Sequence, residues 1–188
     1  FSALVNTHLG VDSCESLRST CLSLKQYVDD VATSLTIKLQ DIFVGTTDSF
    51  YLQSLFEHMG SLTHVCITLE TNITTCSIQA FKLAAGQSLR NRLLHLCVEP
   101  VIEDCTTVPL KLCPLASFPH LIRLEVGDHG GPIDLTGLGS LSALHHLTLG
   151  DSHVNYGVAI FDLSPIANCT SLHNLGLWHS NELEDISP

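Results

Sequence analysis

The chain has 188 residues, 45% of them hydrophobic and 14% charged, and its 19 acidic and 8 basic side chains give a net charge of −11. A nucleic acid is therefore not expected as a partner, since phosphate binding needs a basic patch, and the apolar content excludes intrinsic disorder. No apolar run approaches the roughly 18 residues of a membrane span. The length allows one domain or a short array of repeats.

The first predicted element is a helix close to the N-terminus. Asp12 or Ser13 can cap it, and its apolar face is formed by Leu17, Cys21, Leu24 and Val28. We interpret residues 1–31 as an N-terminal helical segment, either a cap or a partial repeat. Because the chain begins at Phe1 and ends at Pro188 inside a repeated motif, we expect a segment of a longer protein with a truncated last repeat.

A motif of the form LxxLxL recurs along the rest of the chain. Its last apolar position falls at residues 37, 67, 98, 126, 149 and 177. A second motif begins at Asp134, Asp162 and Asp185, and its first two copies lie ten residues before Leu144 and Leu172. Two independent motifs in one register indicate an internal repeat.

Each LxxLxL copy predicts a half-buried strand, because its fourth and sixth positions are apolar and the residues beside them are mostly polar. In the connections between strands, here called return segments, Ser49 can cap a helix that Gly60 ends, and a second helix is predicted from about Ser77 to Ala85, stopping at Gly86. The later return segments are predicted to be extended or single-turn, because they contain Pro109, Pro114, Pro132 and Pro165.

Over residues 32–188 these motifs resemble leucine-rich repeats. The resemblance implies an α/β solenoid of about six repeats, with parallel strands on the concave face, helices in the early repeats, and short extended or 3-10 returns in the later ones. The Asp-Leu-Ser-Pro-Ile segment at 162–166 is similar to the irregular repeats of trypanosomatid and bacterial surface leucine-rich-repeat proteins. At the position where the family's consensus has Asn or Cys, this chain has other residues: Glu70, Val101, His129, Ser152 and Ser180.

The repeat register assigns the exposed strand positions to columns across the predicted concave face. The residues that we expect to contact a partner are His64, Cys66, His95, Cys97, Arg123, Glu125, His146, Thr148, Asn174 and Trp178. Trp178 is the first candidate hot spot, since aromatic side chains are favoured interface anchors. The alternative is that a following repeat covers Trp178.

Two His-x-Cys pairs, 64–66 and 95–97, fall at equivalent positions of neighbouring predicted strands. His64, Cys66, His95 and Cys97 could together bind zinc, or the two cysteines could form a disulfide, since neighbouring strands lie about 4.8 Å apart. Four ligands on a flat sheet do not readily form a tetrahedron, so an ordinary binding surface is the favoured interpretation and no cofactor is predicted. The return-segment cysteines, Cys113 among them, are expected to be buried thiols.

The favoured function is recognition of a protein partner, as the family resemblance implies, and no catalytic motif is found. Sequons at Asn72 and Asn168 are candidate glycosylation sites in return segments. They keep open a surface or secreted antigen-like structural protein. A third possibility is the regulatory arm of an enzyme, such as an adenylate cyclase regulator. The sequence leaves the partner and the localisation open.

Overall fold

The computed structural model describes residues 33–39, 53–69, 75–100, 109–127, 131–150 and 162–178. Its strands are β1 (Ser34–Leu39), β2 (His64–Leu69), β3 (His95–Pro100), β4 (Leu110–Lys111), β5 (Arg123–Val126), β6 (Ile133–Asp134), β7 (His146–Leu149) and β8 (Asn174–Leu177). Residues 53–58 are helical, and α1 (Thr75–Ala84) and α2 (Gly86–Arg90) follow. The helix predicted within residues 1–31 lies outside the described residues.

Six strands form one parallel sheet in the order β1-β2-β3-β5-β7-β8, so each strand pairs with the next copy of the LxxLxL motif along the chain. The register predicted from the motif is confirmed: Ile37 pairs with Ile67, Ile67 with Val98, and Val98 with Val126. The class is therefore α/β. Among the described residues, no helix has the length and apolar character needed to cross a membrane.

The sheet buries one face and leaves the other open to solvent. Successive strand side chains point to opposite faces, and the first inward column is buried throughout its run from β1 to β7: Leu35, Val65, Leu96, Leu124 and Leu147. The column two residues later is equally buried from Ile37 to Leu149. The intervening positions are mostly half-buried or exposed, and we call this side of the sheet the polar face.

The early return segments are helical, as predicted. Phe56 and Met59 are buried where the helix at 53–58 ends, whereas the predicted cap Ser49 lies outside the described residues. The prediction that the next helix stops at Gly86 is incomplete, because α2 starts there. Gly86 has a φ of 56°, a left-handed conformation that glycine adopts without penalty, so the chain turns and becomes helical again.

In their described parts, the later return segments have only short 3-10 helices and two-residue strands, as their prolines predict. They contain the 3-10 helices Cys113–Ser117, Leu138–Ser140 and Ser164–Ile166, and β4 pairs with β6 in a small parallel sheet. The recurring aspartates now have a structural role: Asp134 accepts a hydrogen bond from the backbone N–H of Thr136 at 2.9 Å, and Asp162 accepts one from that of Ser164 at 2.8 Å. These are turns closed by the aspartate side chain.

Neighbouring return segments are joined by contacts that the motif does not encode. The Phe81 ring meets Phe56 edge-on at 6.0 Å and stacks on Phe118 at 5.6 Å, which links three return segments. The Arg92 guanidinium donates to the carbonyl oxygens of Phe56, Met59 and Leu62. The Phe56 and Met59 carbonyls lie at the end of the helix at 53–58, where backbone acceptors lack intrahelical partners.

We predict that Leu147→Ala lowers the free energy of unfolding by about 2–5 kcal/mol, because it leaves a cavity in the core at a fully buried position. The matched control is Leu83→Ala, whose side chain is 63% exposed and whose loss should cost less than about 0.5 kcal/mol. Urea unfolding of both variants checks this. Equal effects of the two substitutions would contradict the burial pattern.

A second prediction concerns the spacing between return segments. A Cβ atom at Gly139 would clash with the carbonyl oxygen of Pro165, whereas one at Gly60 would meet nothing within 4 Å. Gly139→Ala should therefore cost about 1–3 kcal/mol, and Gly60→Ala should be close to neutral. Thermal unfolding compares them, and a neutral Gly139→Ala would show that these segments are not closely packed.

Candidate functional site

The polar face brings the predicted binding residues into two rows across the sheet. One row pairs His64 with His95, His95 with Arg123, Arg123 with His146 and His146 with Asn174. The other row, two residues further along each strand, is formed by Cys66, Cys97, Glu125, Thr148 and Gly176. Strand register fixes these rows. The predicted binding residues that belong to strands therefore lie in the rows expected from the repeated motif, and Trp178 follows the last strand.

The two histidines of the first row form a ring pair. The His64 and His95 centroids are 4.0 Å apart with the rings tilted by 55°, and Thr63 Oγ1 lies 2.8 Å from Nδ1 of His64. Burial holds the pKa of His95 below its ordinary value. The charges of His64, Arg123 and His146 lower that pKa further, while Glu125 opposes them, so the neutral form of His95 is favoured.

Arg123 and Glu125 neutralise each other within β5. Nε of Arg123 donates to Oε1 of Glu125 at 3.0 Å, and the two side chains form an ion pair. About half of the Arg123 side chain and a third of that of Glu125 remain exposed. Such a pair adds little stability, so its main effect is to fix where these two charges stand on the polar face.

The thiols of Cys66 and Cys97 lie side by side on β2 and β3, and a carboxylate from β3 joins them. Donation from Cys97 lowers the pKa of Cys66, and the same hydrogen bond, together with burial, raises the pKa of Cys97. Cys97 Sγ is also 3.5 Å from Oε1 of Glu99. Since a thiol has one proton, Cys97 donates to either the neighbouring sulfur or the carboxylate at one time.

An open depression of about 250 Å³ lies over the first strands of the polar face. Its polar lining is Ser34, Thr36, His64, Cys66, His95, Cys97, Arg123 and Glu125. The other predicted binding residues, His146, Thr148, Asn174 and Trp178, are not part of that lining. The ten residues thus divide into a group at the depression and a group towards β8.

Trp178 follows β8 and is 48% exposed. Its backbone N–H donates to the carbonyl of Leu149 at 2.9 Å, which continues the strand ladder, and its indole Nε1 would lie 3.5 Å from a Cβ at Gly176. The indole therefore lies close to the strand at Gly176, at a distance where a Cβ would make an ordinary van der Waals contact with it. Leu175, on the other face of β8, is 40% exposed, so both large side chains at this end of the described sheet meet solvent.

Two alternatives for Cys66 and Cys97, a zinc site and a disulfide, can be compared with the structure. The alternative zinc set of His64, Cys66, His95 and Cys97 differs from the group whose ligand atoms cluster, since among the described residues these atoms come from Cys66, Cys97 and Glu99. Cys97 Sγ lies 3.5 Å from Glu99 Oε1, and the two histidine rings contact each other. The two thiols are free, not disulfide-bonded.

The prediction that Cys113 is buried is wrong, because it opens a 3-10 helix at the surface. Of the four cysteines whose burial the structure describes, Cys169 is the buried one, and its thiol donates to the Leu138 carbonyl at 3.1 Å. The sequon residue Asn168 is exposed, whereas Asn72 lies outside the described residues.

Comparison of the chain with protein-family models and with curated proteins gives no match.

We predict that His95 titrates below the free imidazole value of about 6.5 and that His64→Ala raises its pKa, because the variant removes both a covering ring and a positive neighbour. With the folded pKa lowered, the unfolded state binds more protons, so this group lowers stability as pH falls through about 6.5. Imidazole NMR titration measures the pKa.

His145→Ala is the control for that titration, since the His145 ring packs on His173 and lies outside the pair. It should leave the His95 titration unchanged. A normal His95 midpoint in the unmodified chain would contradict the ring-pair geometry.

Proposed function

We propose that this chain is a leucine-rich-repeat-like solenoid and that its polar face recognises a partner protein. The carrying observation is the sheet itself: six parallel strands pair in one sheet, the five from β1 to β7 are buried on one face, and most residues of the other face are at least partly exposed. Parallel sheets of doubly wound folds are covered on both faces. Repeat solenoids, by contrast, use an open strand face for binding.

The repeated motifs support the solenoid part of the proposal. The six strands pair in chain order, the described parts of the return segments share one core with the inward strand residues, and the Asp134 and Asp162 turns repeat with the strands. A stack in which each unit packs on its neighbours is the expected outcome for units that cannot bury their apolar face alone.

The chemistry of the polar face supports a protein partner. His, Cys, Thr and Asn side chains dominate its rows, and Arg123 is already paired with Glu125. The polar face therefore offers a partner directed hydrogen bonds more than long-range electrostatic attraction. Trp178 adds a large exposed aromatic surface beside these polar groups. Aromatic anchors surrounded by polar contacts are typical of protein interfaces.

A surface or secreted structural protein is the second candidate. The observation that favours it is the exposure of Asn168 and Thr170, which makes this sequon accessible to a glycosylating enzyme. The two proposals are compatible, since a displayed repeat protein can also bind through its strands.

The recognition proposal is tested by affinity capture with the tagged 188-residue chain and four variants. Trp178→Ala and Glu125→Ala alter the polar face, and Leu83→Ala and Glu57→Ala remove matched, exposed residues from the helices. A partner retained by the controls but lost by the polar-face variants is purified and titrated. We expect Trp178→Ala to weaken the Kd about 30-fold, the effect of a hot spot of about 2 kcal/mol.

The helix-side controls should bind within about twofold of the unmodified chain, well below a hot-spot effect. A partner that binds Trp178→Ala and Glu125→Ala with full affinity, or that is lost by Leu83→Ala, would overturn the assignment of the polar face. Circular dichroism of each variant shows that the comparison is made between folded proteins.

A further inference from the structure

Strand register brings two sulfur ligands and one oxygen ligand together on the polar face. Cys66 and Cys97 are paired residues of adjacent parallel strands, and Glu99 is two residues beyond Cys97 on the same face. One ligand atom from each of the three lies within 4.8 Å of the other two. Cys66 and Cys97 are half-buried and Glu99 is exposed, so the cluster is held by the sheet and open to solvent.

The distances suit a thiolate-binding divalent cation. Metal–sulfur and metal–oxygen bonds of about 2.3 and 2.1 Å at a tetrahedral angle place two sulfurs about 3.8 Å apart and a sulfur and an oxygen about 3.6 Å apart. Cys97 Sγ and Glu99 Oε1 are already 3.5 Å apart. Because no pair exceeds 4.8 Å, every separation is at most about 1.2 Å longer than a bound tetrahedral cation requires.

We propose that Cys66, Cys97 and Glu99 bind one thiophilic divalent cation of the Zn²⁺ class. Binding forms two metal–sulfur bonds and one metal–oxygen bond, and the two thiol protons pass to solvent. Three protein ligands leave the fourth tetrahedral position to water or to an external donor, as in zinc sites that react or exchange ligands. Two sulfurs favour zinc over the oxygen-seeking magnesium and calcium.

Three ligands from two strands avoid the difficulty of arranging four ligands of a flat sheet as a tetrahedron around one metal ion. His64 and His95 sit two residues before the cysteines, and their rings contact each other. Glu99 reaches the sulfurs from the opposite direction, and its long side chain places the oxygen beside Cys97 Sγ. The Glu99 side chain has several rotatable bonds, so its carboxylate can point away from the sheet towards a bound cation. The rigid His95 ring on the same strand has less freedom to do so.

The test is a Co²⁺ titration of the reduced, full 188-residue chain under anaerobic conditions. Cobalt reports thiolate ligation through its sulfur-to-metal charge-transfer band, and Zn²⁺ should displace it, since zinc binds more tightly in such sites. We expect one equivalent per chain at this site. Cys66→Ser and Cys97→Ser should each lose the band, and Glu99→Gln should weaken Co²⁺ binding at least about tenfold.

Two substitutions serve as matched controls. Cys113→Ser removes an exposed thiol elsewhere in the described chain, and Glu57→Gln removes an exposed carboxylate from the helix at 53–58. Both should keep the band and the affinity. An unchanged band in Cys66→Ser or Cys97→Ser, its loss in Cys113→Ser, or equal affinities of Glu99→Gln and the unmodified chain would overturn the proposed ligand set.

The metal site does not depend on partner recognition. Trp178→Ala should bind Co²⁺ like the unmodified chain, because Trp178 follows β8 while the ligands belong to β2 and β3. Conversely, loss of Co²⁺ binding in Cys66→Ser would leave the Trp178 arm of the recognition experiment unaffected. Failure of one proposal is therefore distinguishable from failure of the other.

Discussion

Strand register is the constraint on which the rest of the structure depends. The inward column that includes Val65, Leu96 and Leu124 is buried against the return segments, and a shift of one residue in any strand would turn its whole apolar set towards solvent. The free energy of burial therefore fixes the pairing. The same pairing determines which residues are neighbours on the polar face. Each polar residue lies beside its equivalent on the next strand, whether or not the two interact favourably.

Contacts between neighbouring return segments also determine how the repeats pack on one another. Buried phenylalanines connect the helical ones, Arg92 satisfies carbonyls of the preceding segment, and the absence of a side chain at Gly139 admits the carbonyl of Pro165. Each of these contacts joins one segment only to its immediate neighbour. The distance between strands at the sheet and the distance between segments behind it are thus set by different residues, which can be changed independently.

The sequence predicted the strands and the rows of the polar face because both follow from a period of two and one repeated motif. It did not predict that Glu99 approaches Cys97 or that Arg92 reaches back to Phe56, because side-chain direction along a strand or across a return segment has no signature in residue spacing. Cys113 shows the same limit. Its position in a return segment was predictable, but whether its side chain points in or out depends on how a single 3-10 turn begins.

Pairing of identical residues has an electrostatic consequence for the polar face. Two protonated rings at the separation of His64 and His95, or two bare thiolates at Cys66 and Cys97, would place like charges next to each other in a partly desolvated site. Double ionisation of either pair is therefore unfavourable in the free chain. A bound divalent cation reverses this for the sulfurs, because its charge compensates both thiolates, whereas the neutral form of His95 can donate its ring N–H to a ligand. The same register that stacks the core thus divides the polar face into sites of different chemistry.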